Sequence, residues 1–333
     1  MSFRLSKLKR VIIMSDFYFG PILDYVFGII LSIVAAAMFT GGAILQKRGT
    51  EQLSEKGIEL NLGNKDSLIA AVKNRIWAIG IILGAVGGLP YFASQILIGV
   101  TLTQPLQGTG LLMLVILAVY YLKETLRKQE VIGIAILIAG PIFLAFGGVQ
   151  DIPSNLPMDF HFIISLIIFY VLCISGIVLT YYSAHKNYKP AAMLAVNSGI
   201  FFGMGAISAQ IGNFFLELNL GIPSILGVIF GYLMIFVGNA IGTLVANMAF
   251  QKGKAVRVIP VQAVGNLLIP VVGGVLIFLQ VVSNWVFFVL GLCFQLGGGL
   301  LIVRLQAKMQ DTPTAETILE KENENLEEKS EKE

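Results

Sequence analysis

Polar side chains that interrupt long apolar runs are the residues with chemistry to offer. In the first half of the 333-residue chain they are Gln95, Thr101, Thr103, Gln104, Gln107 and Thr109. In the second they are Asn197, Ser198, Gln210, Asn213, Asn239, Thr243, Asn247, Gln262 and Asn266. All carry amides or hydroxyls. Such groups are expensive inside a membrane unless paired, so each either bonds helix to helix or lines a path for a polar solute. Pro90, Pro105, Pro260 and Pro270 stand among them. A proline removes a backbone donor and frees a carbonyl, which a cation or an amine could take up. Asn239, Thr243 and Asn247 recur every four residues and so share one helix face, which is expected to look inward. No nucleophile–base pair, phosphate loop or metal-ligand cluster accompanies them. His161 and His185 fall at opposite ends of their runs, and Cys173 and Cys293 stand singly in apolar sequence. These features point away from an enzyme and call for no cofactor.

Two of these stretches echo each other. Pro105-Leu106-Gln107-Gly108-Thr109-Gly110 and Pro260-Val261-Gln262-Ala263-Val264-Gly265 both read Pro-x-Gln-x-x-Gly, 155 positions apart. Gln107 and Gln262 are therefore expected to occupy symmetric places. The candidate substrate path is Gln95, Thr103, Gln104, Gln107, Asn197, Asn239, Thr243, Asn247, Gln262 and Asn266. The candidate hinges are Pro90, Pro105, Gly110, Pro260 and Gly265.

The elements that must position them are membrane spans. The chain is 56% hydrophobic and 13% charged, with mean hydropathy +0.81, whereas soluble domains hold about 25% charged residues. Nine apolar runs reach or approach the ~20 residues that cross a bilayer: 22–45, 76–98, 102–122, 131–148, 161–182, 190–212, 225–250, 256–278 and 282–304. Connections 46–75, 122–130, 183–190 and 251–257 carry the lysines and arginines. Those near 99–101, 149–160, 213–224 and 279–283 carry none. The basic side is then cytoplasmic, and the basic excess reflects topology, not nucleic-acid binding. Nine crossings put the C-terminus inside and the N-terminus outside. Initiation at Met14 would remove Arg4, Lys7, Lys9 and Arg10 from the outer end. The expected organisation is an N-terminal segment 1–21, a transmembrane domain 22–305 with halves 22–148 and 161–304, and a charged, disordered tail 306–333. Five crossings separate the two motifs, so the repeat is inverted, the arrangement on which alternating access is built.

The segment Tyr120–Gly140 resembles the helix junction of the drug/metabolite transporter superfamily. Within it the chain resembles the NIPA-like magnesium transporter group in three places: the first-helix exit Gly41-Gly42-Ala43-Ile44-Leu45-Gln46-Lys47-Arg48-Gly49, the polar connection leading to Trp77, and Thr103-Gln104-Pro105-Leu106. The resemblance implies an all-α integral membrane protein with two inverted repeats. It would sit in the cell membrane, with the lipid bilayer as its surroundings and magnesium ion as its substrate. Where that group tends to carry an acid in its second helix, this chain has Gly87-Gly88. A carrier of small organic metabolites such as amino acids is the alternative, and a non-transporting scaffold a third reading.

Overall fold

A computed structural model describes residues 21–124, 126–148, 160–218 and 222–310. The expectations for Met14 and for most of the acidic tail fall outside them. Ten helices make up the described chain: α1 (Pro21–Glu55), α2 (Lys65–Lys73), α3 (Arg75–Gln107), α4 (Thr109–Tyr120), α5 (Lys128–Gly147), α6 (Phe160–His185), α7 (Pro190–Leu218), α8 (Ile222–Lys252), α9 (Ala255–Ile277) and α10 (Trp285–Gln310). Eight are long and apolar enough to cross a membrane. The protein is an all-α, multi-pass membrane protein.

α1 runs ten residues past its expected end at Leu45. Beyond Gln46 its surface turns polar, and Glu51 pairs with Lys47 at 3.2 Å and with Arg48 at 3.3 Å, one turn away, the spacing at which such pairs support a helix. The polar connection then holds the short helix α2. Asn64 starts α2 by accepting from the N–H groups of Asp66 and Ser67.

The expected reversal between the second and third crossings takes place inside α3. Ser94 and Thr103 join hydroxyls at 3.0 Å, yet nine residues of straight helix span about 13.5 Å. The helix therefore doubles back between them. Its first arm lies antiparallel to α1, with Gly28 facing Leu97 and Ile98, and Gly42 facing Gly80 and Gly84. Its second arm and α4 run parallel to α1: Ser32 donates to the Thr103 carbonyl, and Thr40 to that of Gly110. Helical backbone replaces the loop expected at 99–101, and the returning arm with α4 supplies the ninth apolar run.

The second half repeats this packing. α8 lies antiparallel to α7, and α9 parallel to it, with Gly199 against Gln262 and Gly265, and Gly273 against Ile207. α6 packs on α7 and has no counterpart among the described residues of the first half. α5 and α10 join the halves. Gly133 meets Ile302, Gly140 meets Gln295, and Gly147 meets Phe288, so these two helices are antiparallel. The offset of the Pro-x-Gln-x-x-Gly motif recurs here as geometry. Moved by 155 positions, the contact Gly133–Ile302 becomes Phe288–Gly147, and Gly140 lands on Gln295, its own neighbour. The pseudo-twofold axis passes between those two residues, and the repeat is inverted.

Close approach fixes α7 against α8. A Cβ at Gly231 would lie 2.5 Å from the Ser208 carbonyl oxygen and 2.5 Å from the Gly212 nitrogen, both backbone atoms that cannot rotate away. Gly231→Leu should force the pair apart and cost more than the ~1–3 kcal/mol typical of overpacking. A melting curve in detergent would show a clear drop, and an unchanged midpoint would contradict this packing.

Candidate functional site

The contacts between halves gather at the basic end of the bundle, around the corner where α8 hands over to α9. α8 is buried over six consecutive residues, Val245 to Phe250. Farther along, between 225 and 240, only Gly231 and Gly238 are buried. The residues exposed there, Ile225, Leu226, Ile229, Phe230, Leu233 and Phe236 among them, are apolar, as on a helix face that meets lipid, whereas the buried end packs against the other half.

First-half residues hold both sides of the corner. Lys47, 7% exposed, donates to the Phe250 carbonyl at 2.6 Å, near the C-terminus of α8, where a cation complements the helix dipole. The Gln251 amide donates to the Ile58 carbonyl at 3.0 Å and accepts from the Leu60 N–H at 2.8 Å. Beyond the corner, Glu124 accepts from the N–H groups of Ala255 and Val256 at 2.8 and 3.1 Å. These open α9 and have no partner within it. Glu130, fully buried, pairs with Arg257 and also accepts from the Arg127 N–H at 2.9 Å. One layer inward, Asn247 links three helices. It accepts from the Trp77 indole at 3.0 Å and donates to Gln46 at 2.9 Å and to the Thr243 carbonyl at 2.7 Å.

Several expectations change. The stripe Asn239, Thr243, Asn247 does not face inward as a unit. Asn247 is buried, Thr243 half-buried and Asn239 exposed, donating to its own helix at Ile235. Asn239 lies on the exposed stretch of α8, so helical spacing alone did not reveal its surroundings. Gln107 does not bond to its mate Gln262; its amide donates to the Ser32 hydroxyl at 3.0 Å and carbonyl at 3.2 Å, tying the returning arm to α1. Gln262 is half-buried, with no hydrogen-bond partner among the described residues, and Asn266 is exposed. Asn197 is buried and donates to the Ile177 carbonyl and the Thr180 hydroxyl, a bond from α7 to α6. Thr103 is buried at the bend. Pro90 is half-buried, and Pro260 is buried. Gly110 and Gly265 are mates in space as in sequence, each pressed against the corresponding helix of its half, α1 at Ala36 and α7 at Gly199. The side chains of Gln95, Gln104 and Pro105 lie outside the described ones.

The carboxylates Glu124 and Glu130 are the residues that sequence reasoning undervalued. Glu124 reads as one of a local pair with Lys123 or Arg127, and Glu130 as part of a basic connection. The available signal was that three acids and bases, Glu124, Glu130 and Arg257, flank two long apolar runs where solvent is scarce. Among the described residues no group of three or more His, Cys, Asp or Glu is placed to hold a metal ion.

Two halves of opposite direction, hydrogen-bonded to each other at the basic end, are the architecture of an inverted-repeat membrane transporter. The chain belongs to the family described as magnesium transporter NIPA, whose model matches residues 23–208. The probable magnesium transporter NIPA9 of Arabidopsis thaliana is 24% identical over 74% of this chain and 72% of its own length. Magnesium transporter NIPA3 of Pongo abelii is 28% identical over 37% of this chain and 30% of its own. NIPA-like protein 2 of Mus musculus is 23% identical over 56% and 47%. No solved structure matches the chain.

Glu130 and Arg257 should depend on each other. Removing one partner strands a buried charge, a loss of about 3–5 kcal/mol. Arg257→Met alone should therefore destabilise sharply, and Glu130→Leu with Arg257→Met should recover much of that loss. Additive losses in thermal melts would show the pair to be uncoupled.

Glu124 answers to pH. Burial pushes its carboxyl above the ordinary glutamate range, outweighing the Ala255 and Val256 N–H bonds and the positive charges of Lys47 and Lys254. A raised carboxyl pKa stabilises the folded protein fully below the unfolded value, near 4.5, and that contribution is lost as pH rises through the raised value. Relative to Glu124→Gln, which cannot titrate, the wild type should gain melting temperature as pH falls toward 4.5. Parallel pH profiles for the two proteins would rule this out.

Proposed function

We propose that this chain carries magnesium ions across the cell membrane by alternating access, with its basic end and C-terminus in the cytoplasm and its N-terminus outside. The observations that support the mechanism are the inverted repeat, with its pseudo-twofold between Gly140 and Gln295, and the polar inter-half bonds gathered at the corner of α8 and α9. The substrate is supported by membership of a family described as magnesium transporters and by relatives with that name. Magnesium takes oxygen ligands in octahedral geometry and gives up its waters reluctantly. Amides, hydroxyls and helix carbonyls suit an ion that keeps much of that water, and no carboxylate cage stands among the described residues.

The path runs between α1, α3 and α4 on one side and α7, α8 and α9 on the other, within a transporter domain spanning 22–305. Gln262, Asn266, Asn239 and Thr243 line it, and Gln95 and Gln104 are assigned to it from their places in the sequence of α3, before and after its bend. Gln107, Asn197 and Asn247 hold its walls. Pro90, Pro105 and Pro260, with Gly110 and Gly265, let the helices flex where each half pivots.

Purified protein in liposomes containing a magnesium indicator should report influx under a magnesium gradient, above protein-free vesicles. Gln262→Leu should cut that flux several-fold with little change in melting temperature, whereas Gln107→Leu should lower the melting temperature by loosening α1. Absent magnesium influx together with amino-acid counterflow would replace this reading with that of an organic-solute carrier.

A further inference from the structure

We infer that α2 is a lipid-binding element: its outer face rests in the cytoplasmic leaflet, with Ile69 and Val72 among the upper acyl carbons and Lys65, Lys73 and Arg75 on the head groups of anionic phospholipids. Which leaflet it meets rests on the orientation proposed above; the seating on lipid does not.

α2 has two unlike faces. Ser67 and Ala71, one turn apart, are buried against the rest of the protein. Ile69 and Val72, three apart and so on one face, are 49% and 64% exposed. Leu62, just before the helix, is exposed as well. Apolar surface left in water is unfavourable, and an exposed apolar face rimmed by charge marks a contact with protein or membrane. Position favours the membrane. Asn74 alone separates α2 from α3, a membrane span on which Ile79, Ile82 and Leu89 are exposed. α2 is therefore held at the level where α3 enters the bilayer. Charge agrees. Lys65, Lys73 and Arg75 are exposed, and Asp66 is the one acid between 64 and 75. Basic side chains beside an apolar edge are what a helix lying in the interface carries. Their long stems let the charges reach head groups while the edge goes deeper, and an anionic leaflet attracts each of them.

The seat is tied to the corner where the halves meet. The Ser67 hydroxyl donates to the Asn64 carbonyl at 2.8 Å and accepts from the Asn61 N–H at 3.3 Å, which fixes α2 to the end of the link before it. The neighbouring Leu60 N–H donates to Gln251 of α8 at 2.8 Å. Lipid that holds α2 thus also holds the link that Gln251 grips, and anionic lipid should steady the contact between halves.

The test uses the full chain in liposomes, with Cys173 and Cys293 replaced by alanine and a nitroxide attached at Val72→Cys. The vesicles are phosphatidylcholine alone, or phosphatidylcholine and phosphatidylglycerol in equal parts. A nickel chelate on both faces makes the protein's orientation immaterial. The label should be open to oxygen, which concentrates in lipid, and shielded from nickel several-fold relative to the same label at Glu59→Cys, an exposed position in the link. Phosphatidylglycerol should deepen that shielding and raise the melting temperature, and Lys65→Gln/Lys73→Gln/Arg75→Gln should remove both gains. A Val72 label as open to nickel as the Glu59 one puts α2 in water and overturns the proposal. Shielding from oxygen as well as nickel puts protein over the face, either the acidic segment 311–333 or a second copy, and overturns it too. Equal shielding in both vesicles, unmoved by the triple substitution, removes the anionic lipid from it. Magnesium influx in the same vesicles tests the transport reading separately, so the two can fail independently.

Discussion

A charge can be buried in an apolar bundle only if another group meets it there, and here the groups that meet come from opposite halves. Lys47 needs the Phe250 carbonyl, Glu124 the first turn of α9, and Glu130 the Arg257 guanidinium. None of these partners lies in the same half as the residue it satisfies. Contact at the basic end therefore adds partners from the other half to those each charge has in its own, such as Glu51 for Lys47 at 3.2 Å and the Arg127 N–H for Glu130 at 2.9 Å. Rewetting them would offset much of what is lost when they part. Partners of this kind are well suited to a joint that opens and closes, because breaking them exchanges one set of hydrogen bonds for water. The seam between α5 and α10 is mostly apolar, with the buried Gln295 amide donating to the Leu137 carbonyl at 3.2 Å.

The architecture was largely legible in the residues, for physical reasons that can be named. Apolar runs the length of a bilayer identified the helices, and the segregation of lysine and arginine to alternate connections fixed how they follow one another. The six-residue echo at Pro105 and Pro260 carried the symmetry, since its spacing reappears as touching residues at Gly140 and Gln295. Helix ends were read less well. The α1 end at Leu45 was set by hydrophobicity, whereas i to i+4 ion pairing carries the helix on to Glu55. The bend of α3 was expected as a loop because a reversal usually needs one.

The site was less legible than the fold. Periodicity placed Asn239 with Asn247, but a helix buried at one end and exposed at the other changes environment along its length, and spacing contains no sign of that. Gln107 and Gln262 share a motif yet do different work, one bonding to Ser32 and the other left without a described partner. Glu124 and Glu130 resembled ordinary loop charges because their partners are more than a hundred residues away. Sequence proximity suggested Lys123 and Arg127, and tertiary structure chose α9.

The contact on the pseudo-twofold axis has a consequence for ancestry and engineering. Gly140 faces Gln295, and a Cβ at Gly140 would lie 2.6 Å from the Gln295 Cγ. Two copies of the first half would put glycine against glycine there, leaving a void. Two copies of the second would put glutamine against glutamine, in space that holds one. Neither half can pair with itself as it pairs with the other. Whatever symmetric dimer preceded this chain, its two halves have become a lock and a key, and a version built from either one twice would not close.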